Sequence, residues 1–242
     1  MLNITVLFFV TFLSGISVFI WKKPVMQQFK ILLAFSGSYL FSLTVIHILP
    51  DAIAESNNFT LTGIFILIGF FFQMILEYFT SGVEHGHIHA HEGHLHTIPM
   101  GMFVGLFLHA FLEGMLLYHP SHHGSSDTHN LLFGLSLHKV PEAFALMTIL
   151  VMSFPKSIKA FIFLFLFALA SPLGLLASTF FFNLKSIPSE LFMYVYALIA
   201  GSFLYISTTI FFEASPNHKF KANRLITALI GAMGAIAGEL FF

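Results

Sequence analysis

Residues 157–181 read SIKAFIFLFLFALASPLGLLASTFF, an apolar run in which Lys159 is the only charged residue. A helix needs about 20 apolar residues to cross the hydrocarbon core of a bilayer, which is roughly 30 Å thick, and this run is longer than that. The whole chain shares this character, because 57% of its 242 residues are hydrophobic and only 9% are charged. A soluble domain would carry roughly a quarter of its residues as charged side chains. The composition therefore predicts an integral membrane protein.

Similar runs, bounded by proline, glycine, asparagine or charge, predict eight membrane spans. Because lipid offers no partner to backbone groups, and the runs lack the alternation of barrel strands, each span is predicted to be a helix. The predicted fold is an all-α integral membrane bundle that forms one domain, residues 1–242. The predicted spans are residues 2–20, 29–50, 61–80, 99–119, 130–153, 157–181, 189–211 and 222–241.

The basic residues predict the orientation, since lysine and arginine accumulate on the cytoplasmic side. With eight spans, eight of the ten basic residues fall on one side, Lys185 falls on the other, and Lys139 falls inside span five. We therefore expect both termini to be extracytoplasmic. The residues on the predicted cytoplasmic side are Lys22, Lys23, Lys30, Lys156, Lys159, Lys219, Lys221 and Arg224.

Cysteine and net charge exclude several classes of site. The chain has no cysteine, which excludes disulfide frameworks, thiolate zinc sites and iron–sulfur clusters. Its formal charge of −1 offers no electrostatic surface for nucleic acid. Fourteen histidines are the unusual feature that points to chemistry.

Two gaps between spans are rich in histidine. Residues 81–98, predicted to be cytoplasmic, carry six imidazoles among glycines, which is typical of a mobile ligand for a metal such as zinc. The alternative is a flexible polar linker, and for the second, sparser gap the two interpretations are equally open. The histidines of the first gap are His85, His87, His89, His91, His94 and His96, and those of the second are His119, His122, His123 and His129.

Spans four and five each carry a histidine and a glutamate four residues apart: His109 with Glu113, and His138 with Glu142. A helical period of 3.6 places each pair on one face. Two imidazoles and two carboxylates would suit Zn²⁺ or another divalent first-row ion, and such an ion would neutralise both acids. For one helix alone, a structural hydrogen bond is the simpler interpretation. Two matching pairs on neighbouring spans favour a metal site.

Prolines interrupt three of the spans. Pro141 lies between His138 and Glu142, and the missing amide hydrogen predicts that the helix loosens there. Pro50 and Pro172 are expected to act in the same way on spans two and six. Each proline is weak evidence alone, since membrane helices often contain them.

Five motifs together resemble the Zrt/Irt-like protein (ZIP) family of divalent-metal transporters. The resemblance implies metal uptake toward the cytoplasm and a central site built by spans four and five. It also implies an inverted repeat that relates spans 1–3 to spans 6–8, elevator-like movement of one helix bundle, and a homodimer. The motifs are HAFLEG (109–114), HKVPEAFAL (138–146), HILPDA (47–52), SPLG (171–174) and GSFLY (201–205).

By the same resemblance, the primary metal ligands are His109, Glu113, His138 and Glu142. Many members add a second metal through three further positions. This chain has Ala110, Lys139 and Ser171 there, and an ammonium could replace the missing second cation. We therefore expect one metal per site, with Lys139 paired to Glu113 or Glu142. The alternative is a Lys139 that points to a water cavity.

The topology also suggests a path for the ion. His47, Asp51 and Glu55 rise toward the extracytoplasmic mouth, where carboxylates concentrate cations. Glu77 and Glu213 end near the cytoplasmic side and are candidate exit residues. Ordinary interfacial acids explain these two equally well, and Glu239 is interpreted as interfacial.

The leading hypothesis is a transporter of Zn²⁺, with Fe²⁺, Mn²⁺ or Cd²⁺ as alternative substrates, in a plasma (inner) membrane. It would need no organic cofactor and no nucleic-acid partner, and it would not be an enzyme. An intramembrane metalloenzyme is the first alternative, although four protein ligands leave no open position for a reacting water. A cation exporter of the diffusion-facilitator type is the second, although such exporters usually have six spans.

Overall fold

The computed structural model describes residues 2–20, 26–80, 100–118, 125–155, 157–183, 189–213 and 222–241. Every regular element within these ranges is helical, which confirms the all-α class. The α-helices are α1 (Leu2–Ile16), α2 (Met26–Leu43), α3 (Leu49–Ala54), α4 (Phe59–Thr80), α5 (Met100–Leu116), α6 (Ser125–Ser153), α7 (Ile158–Asn183), α8 (Ser189–Glu213) and α9 (Ala222–Phe241).

Seven helical segments in the described ranges are long and apolar enough to cross a membrane, α2 and α3 being parts of one of them. The remaining apolar helix, α5, has 17 residues, which is the lower end of the range for a spanning helix. The outer helices α1, α4 and α9 turn large apolar side chains outward. Leu13, Leu67 and Met233, for example, are 59–61% exposed. These faces suit lipid, as in a multi-pass membrane protein.

The helices pack as two bundles that touch along one side. The first bundle holds α1, α5, α6 and α7, with α5 against α7 and α6 against α1. The second bundle holds α2, α3, α4, α8 and α9, with α4 against α8 and α2 against α9. Contacts of α2 with α6 and of α4 with α5 join the two bundles.

Two apolar cores follow each other along the helix axes, and they leave a polar layer between them. One core includes Leu116 from the end of α5 and Leu135 from the first half of α6. The other includes Leu106 from α5 and Leu146 from α6. His109, Glu113, His138 and Glu142 lie between these levels on the same two helices. The ionisable side chains are thus held between two fully buried apolar layers.

Glycines allow α5 and α7 to approach at the level of this polar layer. A Cβ added at Gly114 would overlap the carbonyl of Ser171, and one added at Gly174 would overlap the carbonyl of Phe111. The two backbones therefore touch reciprocally, a form of packing that small residues allow between membrane helices.

The prolines have different effects on their helices. Pro50 is the second residue of α3, which directly follows a π-helical turn, Thr44–Ile48, that carries His47. A π-helical turn changes the register of the backbone hydrogen bonds and is frequent at functional sites. Pro141 and Pro172 lie inside α6 and α7, which continue through them without interruption.

Candidate metal site

Five ionisable side chains meet between α5 and α6, and we call them the central cluster. Helix α5 provides His109 and Glu113, and α6 provides His138, Lys139 and Glu142. All five are at most 2% exposed. Ionisable groups buried this deeply in a membrane protein cost several kcal/mol unless they are paired or hold an ion.

The histidines and carboxylates face one another across the two helices. His109 Nε2 lies 3.2 Å from Glu113 Oε1, and His138 Nε2 lies 3.6 Å from the same oxygen. Ligand atoms of His109, Glu113 and His138 all lie within 4.8 Å of one another. Glu142 Oε1 adds a fourth donor 3.8 Å from His109 Nε2. Three ligand atoms, from His109, Glu113 and His138, thus lie close enough together to hold one small cation, and Glu142 lies beside them.

Lys139 pairs with both carboxylates at once. Its Nζ contacts Glu113 Oε2 and lies 2.5 Å from Glu142 Oε2. It also lies 5.4 Å from the centroid of the Phe167 ring. The sequence predicted pairing with one glutamate or the other, and the structure has both pairs. A fully buried side chain does not fit the alternative of a lysine in a water cavity.

The other two positions of the second-metal pattern are occupied by structural contacts. Ala110 is buried and has no ligand atom on its side chain. Ser171 donates its hydroxyl hydrogen to the carbonyl of Ala110 at 2.8 Å. This hydrogen bond joins α7 to α5 directly beside His109. Ser171 therefore helps to set the position of the helix that carries two of the candidate ligands.

A second group of ionisable residues, the outer cluster, consists of His47, Asp51 and Glu239. His47 Nδ1 lies 2.8 Å from Glu239 Oε1, and His47 Nε2 lies 3.7 Å from Asp51 Oδ2. The imidazole therefore bridges two carboxylates and links the α2–α3 segment to α9. Glu55 is exposed at the end of α3, and it acts electrostatically on Tyr196 together with Asp51 and Glu239.

The candidate exit residues lie apart from both clusters. Glu77 is partly buried near the end of α4. Glu213 is the last residue of α8, and its side chain is outside the described part of the chain. The histidine-rich gap with His85, His87, His89, His91, His94 and His96 also lies outside the described residues, as do His119, His122 and His123. The path through these residues stays a prediction.

Sequence reasoning missed two features of these sites. The sequence predicts Glu239 only as an interfacial acid and indicates no partner for it, and in the structure it pairs with His47. Its only signal is that it is the single acidic residue of its span. Gly114 and Gly174 belong to sequence motifs that indicate no role for them. In the structure they let α5 and α7 touch beside the central cluster.

Comparison with known proteins gives one family. The sequence model of the family described as ZIP zinc transporter matches residues 84–237, well over half of the chain. The matched range contains the whole central cluster and helices α5 to α8. No curated protein gives a significant match.

Proposed function

Because the chain belongs to the ZIP zinc transporter family, we propose that it carries Zn²⁺ into the cytoplasm by alternating access around the central cluster. Proteins of this family are multi-pass membrane transporters of divalent metals rather than enzymes. Zinc as the substrate and inward transport are the parts of the proposal that go beyond the family.

The observation that carries the proposal is the convergence of His109, Glu113 and His138, whose ligand atoms lie within 4.8 Å of one another. We propose these three residues and Glu142 as the ligands of the transported ion. Imidazole and carboxylate suit Zn²⁺, and the same donors accept Fe²⁺, Mn²⁺ or Cd²⁺. Metal binding requires neutral imidazoles and ionised carboxylates, so the affinity of these ligands for a metal ion falls at low pH.

We further propose that each site carries one metal ion. Ala110, Lys139 and Ser171 support this stoichiometry, since a methyl group, an ammonium and a hydroxyl bonded to a carbonyl replace the second set of ligands. A repulsive ammonium beside Glu113 and Glu142 disfavours a second cation at that place.

The ion would pass from the outer cluster to the central cluster and from there to the cytoplasm. His47, Asp51 and Glu55 would attract the hydrated ion at the extracytoplasmic mouth, and their carboxylates would raise its local concentration. Glu77, Glu213 and the histidine-rich segment 81–98 would receive it on the cytoplasmic side. The charge bias of the loops supports the orientation of the chain in this path, with both termini extracytoplasmic.

The remaining parts of the proposal concern assembly. We propose an inverted repeat of spans 1–3 and 6–8, a homodimer, and residence in a plasma (inner) membrane. The division into two helix bundles supports alternating access, since one bundle with the central cluster could move against the other.

The test is zinc uptake by the purified protein in proteoliposomes, followed with a fluorescent zinc indicator inside the vesicles. We expect His138→Ala to reduce the initial rate by at least about 100-fold. Mutation of residues that only hydrogen-bond to a metal ligand already lowers metal affinity or activity by about 10–100-fold, and the loss of a ligand itself should cost more. His129→Ala is the matched control, because His129 is an exposed imidazole on the same helix. Equal rates in the two variants would refute the central cluster as the transport site.

A further inference from the structure

The two glutamates of the central cluster use their oxygens for different partners. Oε1 of Glu113 lies near both histidines, and Oε1 of Glu142 lies near His109. Oε2 of both glutamates contacts Lys139 Nζ. The ammonium therefore stands beside the group of candidate ligands rather than among them. A metal ion held by the Oε1 atoms and the imidazoles would leave both contacts of Lys139 in place.

Lys139 is a positive charge that stays with the site. It is fully buried, its Nζ is held by two carboxylates, and the ring of Phe167 lies beneath it. Its Nζ lies between the apolar layers that contain Leu106 and Leu116 on α5. An apolar core residue such as Phe167, itself 1% exposed, closes that side of the cluster.

This charge changes the electrostatics of the empty site. Two carboxylates and one ammonium give a formal charge of −1 with neutral imidazoles, and a bound divalent ion changes it to +1. Without the ammonium, the same site would alternate between −2 and 0. Because the solvation cost of a buried charge rises with its square, Lys139 makes the empty and the loaded site equally costly to enclose.

We propose that Lys139 is a built-in counter-ion that allows the unloaded site to return across the membrane after the metal has left. The inference rests on the proposed function, since only a carrier with alternating access has such a return step. A site of charge −2 would be retained on the side where cations and water can neutralise it. A site of charge −1 returns as readily as the loaded site travels inward.

The experiment separates net uptake from exchange in proteoliposomes. Net uptake into zinc-free vesicles requires the unloaded site to return in every cycle. Exchange of radioactive zinc, with equal unlabelled zinc on both sides, lets the site travel loaded in both directions. For Lys139→Met we expect net uptake to fall at least about tenfold and exchange to fall less than about threefold, relative to the wild-type protein. Lys139→Arg should recover part of the net uptake, because it restores the charge.

A parallel loss of net uptake and exchange in Lys139→Met would overturn the proposal, since it would assign Lys139 to holding the ligands. Undiminished net uptake would overturn it as well. If the wild-type protein shows neither process with zinc, the proposed function itself fails.

The wild-type protein provides a second measurement that does not depend on the variants. With a fast return step, its net uptake should lie within about threefold of its exchange rate. Exchange at least about tenfold faster than net uptake would contradict the proposal, because the unloaded return would then limit the cycle.

Discussion

The central and the outer clusters both combine histidine with carboxylates, yet they differ in burial and in charge balance. The central cluster is at most 2% exposed and contains its own cation, Lys139. In the outer cluster the side chains of Asp51 and Glu239 are 32% and 24% exposed, and one imidazole faces both. A buried charge has a large desolvation cost unless an opposite charge lies beside it, whereas an exposed charge is solvated by water. We therefore expect the central cluster to tolerate little change and the outer cluster to tolerate much.

The largest contrast is expected between Glu113→Ala and Glu239→Ala. Removal of Glu113 leaves a buried ammonium with one partner fewer and removes a candidate ligand, which should cost about 3–5 kcal/mol of unfolding free energy. Removal of Glu239 affects a partly exposed pair, which should cost about 1 kcal/mol or less. Denaturant unfolding in detergent measures both, and zinc uptake should be lost only in Glu113→Ala. Similar losses of unfolding free energy in the two variants would contradict the expected difference between the two clusters.

A smaller contrast is expected at glycines beside the two clusters. A Cβ at Gly114 would overlap the backbone carbonyl of Ser171, so Gly114→Ala should cost about 1–3 kcal/mol through overpacking. A Cβ at Gly238, the neighbour of Glu239, would lie 2.9 Å from the amide oxygen of Asn130, the end of a side chain that can rotate. Gly238→Ala should therefore change the unfolding free energy by about 0.5 kcal/mol or less.

The midpoint of thermal unfolding in detergent checks this second contrast. A Gly114→Ala protein as stable as Gly238→Ala would show that α5 and α7 can separate freely at the central cluster.

The smallest effect is expected for His47→Ala. Loss of the imidazole removes the bridge between Asp51 and Glu239 and leaves their carboxylates at the predicted mouth. We expect KM for zinc to change by about threefold in either direction, and kcat to change less, because partly exposed charges are screened. In the wild-type protein KM should rise with salt, since the Debye length falls from about 30 Å at 0.01 M to about 3 Å at 1 M.

Uptake rates over a range of zinc concentrations separate the two parameters. A fall of kcat in His47→Ala as large as the fall expected for His138→Ala would instead place the outer cluster in the transport step.

Much of the fold and part of the site could be predicted from the sequence. Long apolar runs predicted the helices because only helices satisfy the backbone of such runs in lipid. The spacing of His109 and Glu113, and of His138 and Glu142, predicted which side chains share a helix face, because the helical period is local. Pro141 was expected to loosen its helix, and α6 continues through it, since neighbouring helices restrain the backbone that proline frees.

The contacts of Lys139 could be predicted only in part. A buried lysine needs a carboxylate partner, and two glutamates were candidates. The pairing with both depends on the positions of α5 and α6 relative to each other, which no local pattern contains. The same holds for Ser171, whose hydrogen bond to Ala110 requires the reciprocal contact of α5 and α7.

The sequence by itself determined an all-helical membrane protein and the candidate ligands of a divalent ion, because hydropathy and helical period act over a few turns of chain. Only the tertiary structure decided that one ammonium pairs with two glutamates and that Glu239 reaches His47 across 192 positions. The contacts of Lys139 with Glu113 and of His47 with Glu239 join separate helices, and the packing of helix against helix, through glycines and buried apolar layers, determines which residues meet.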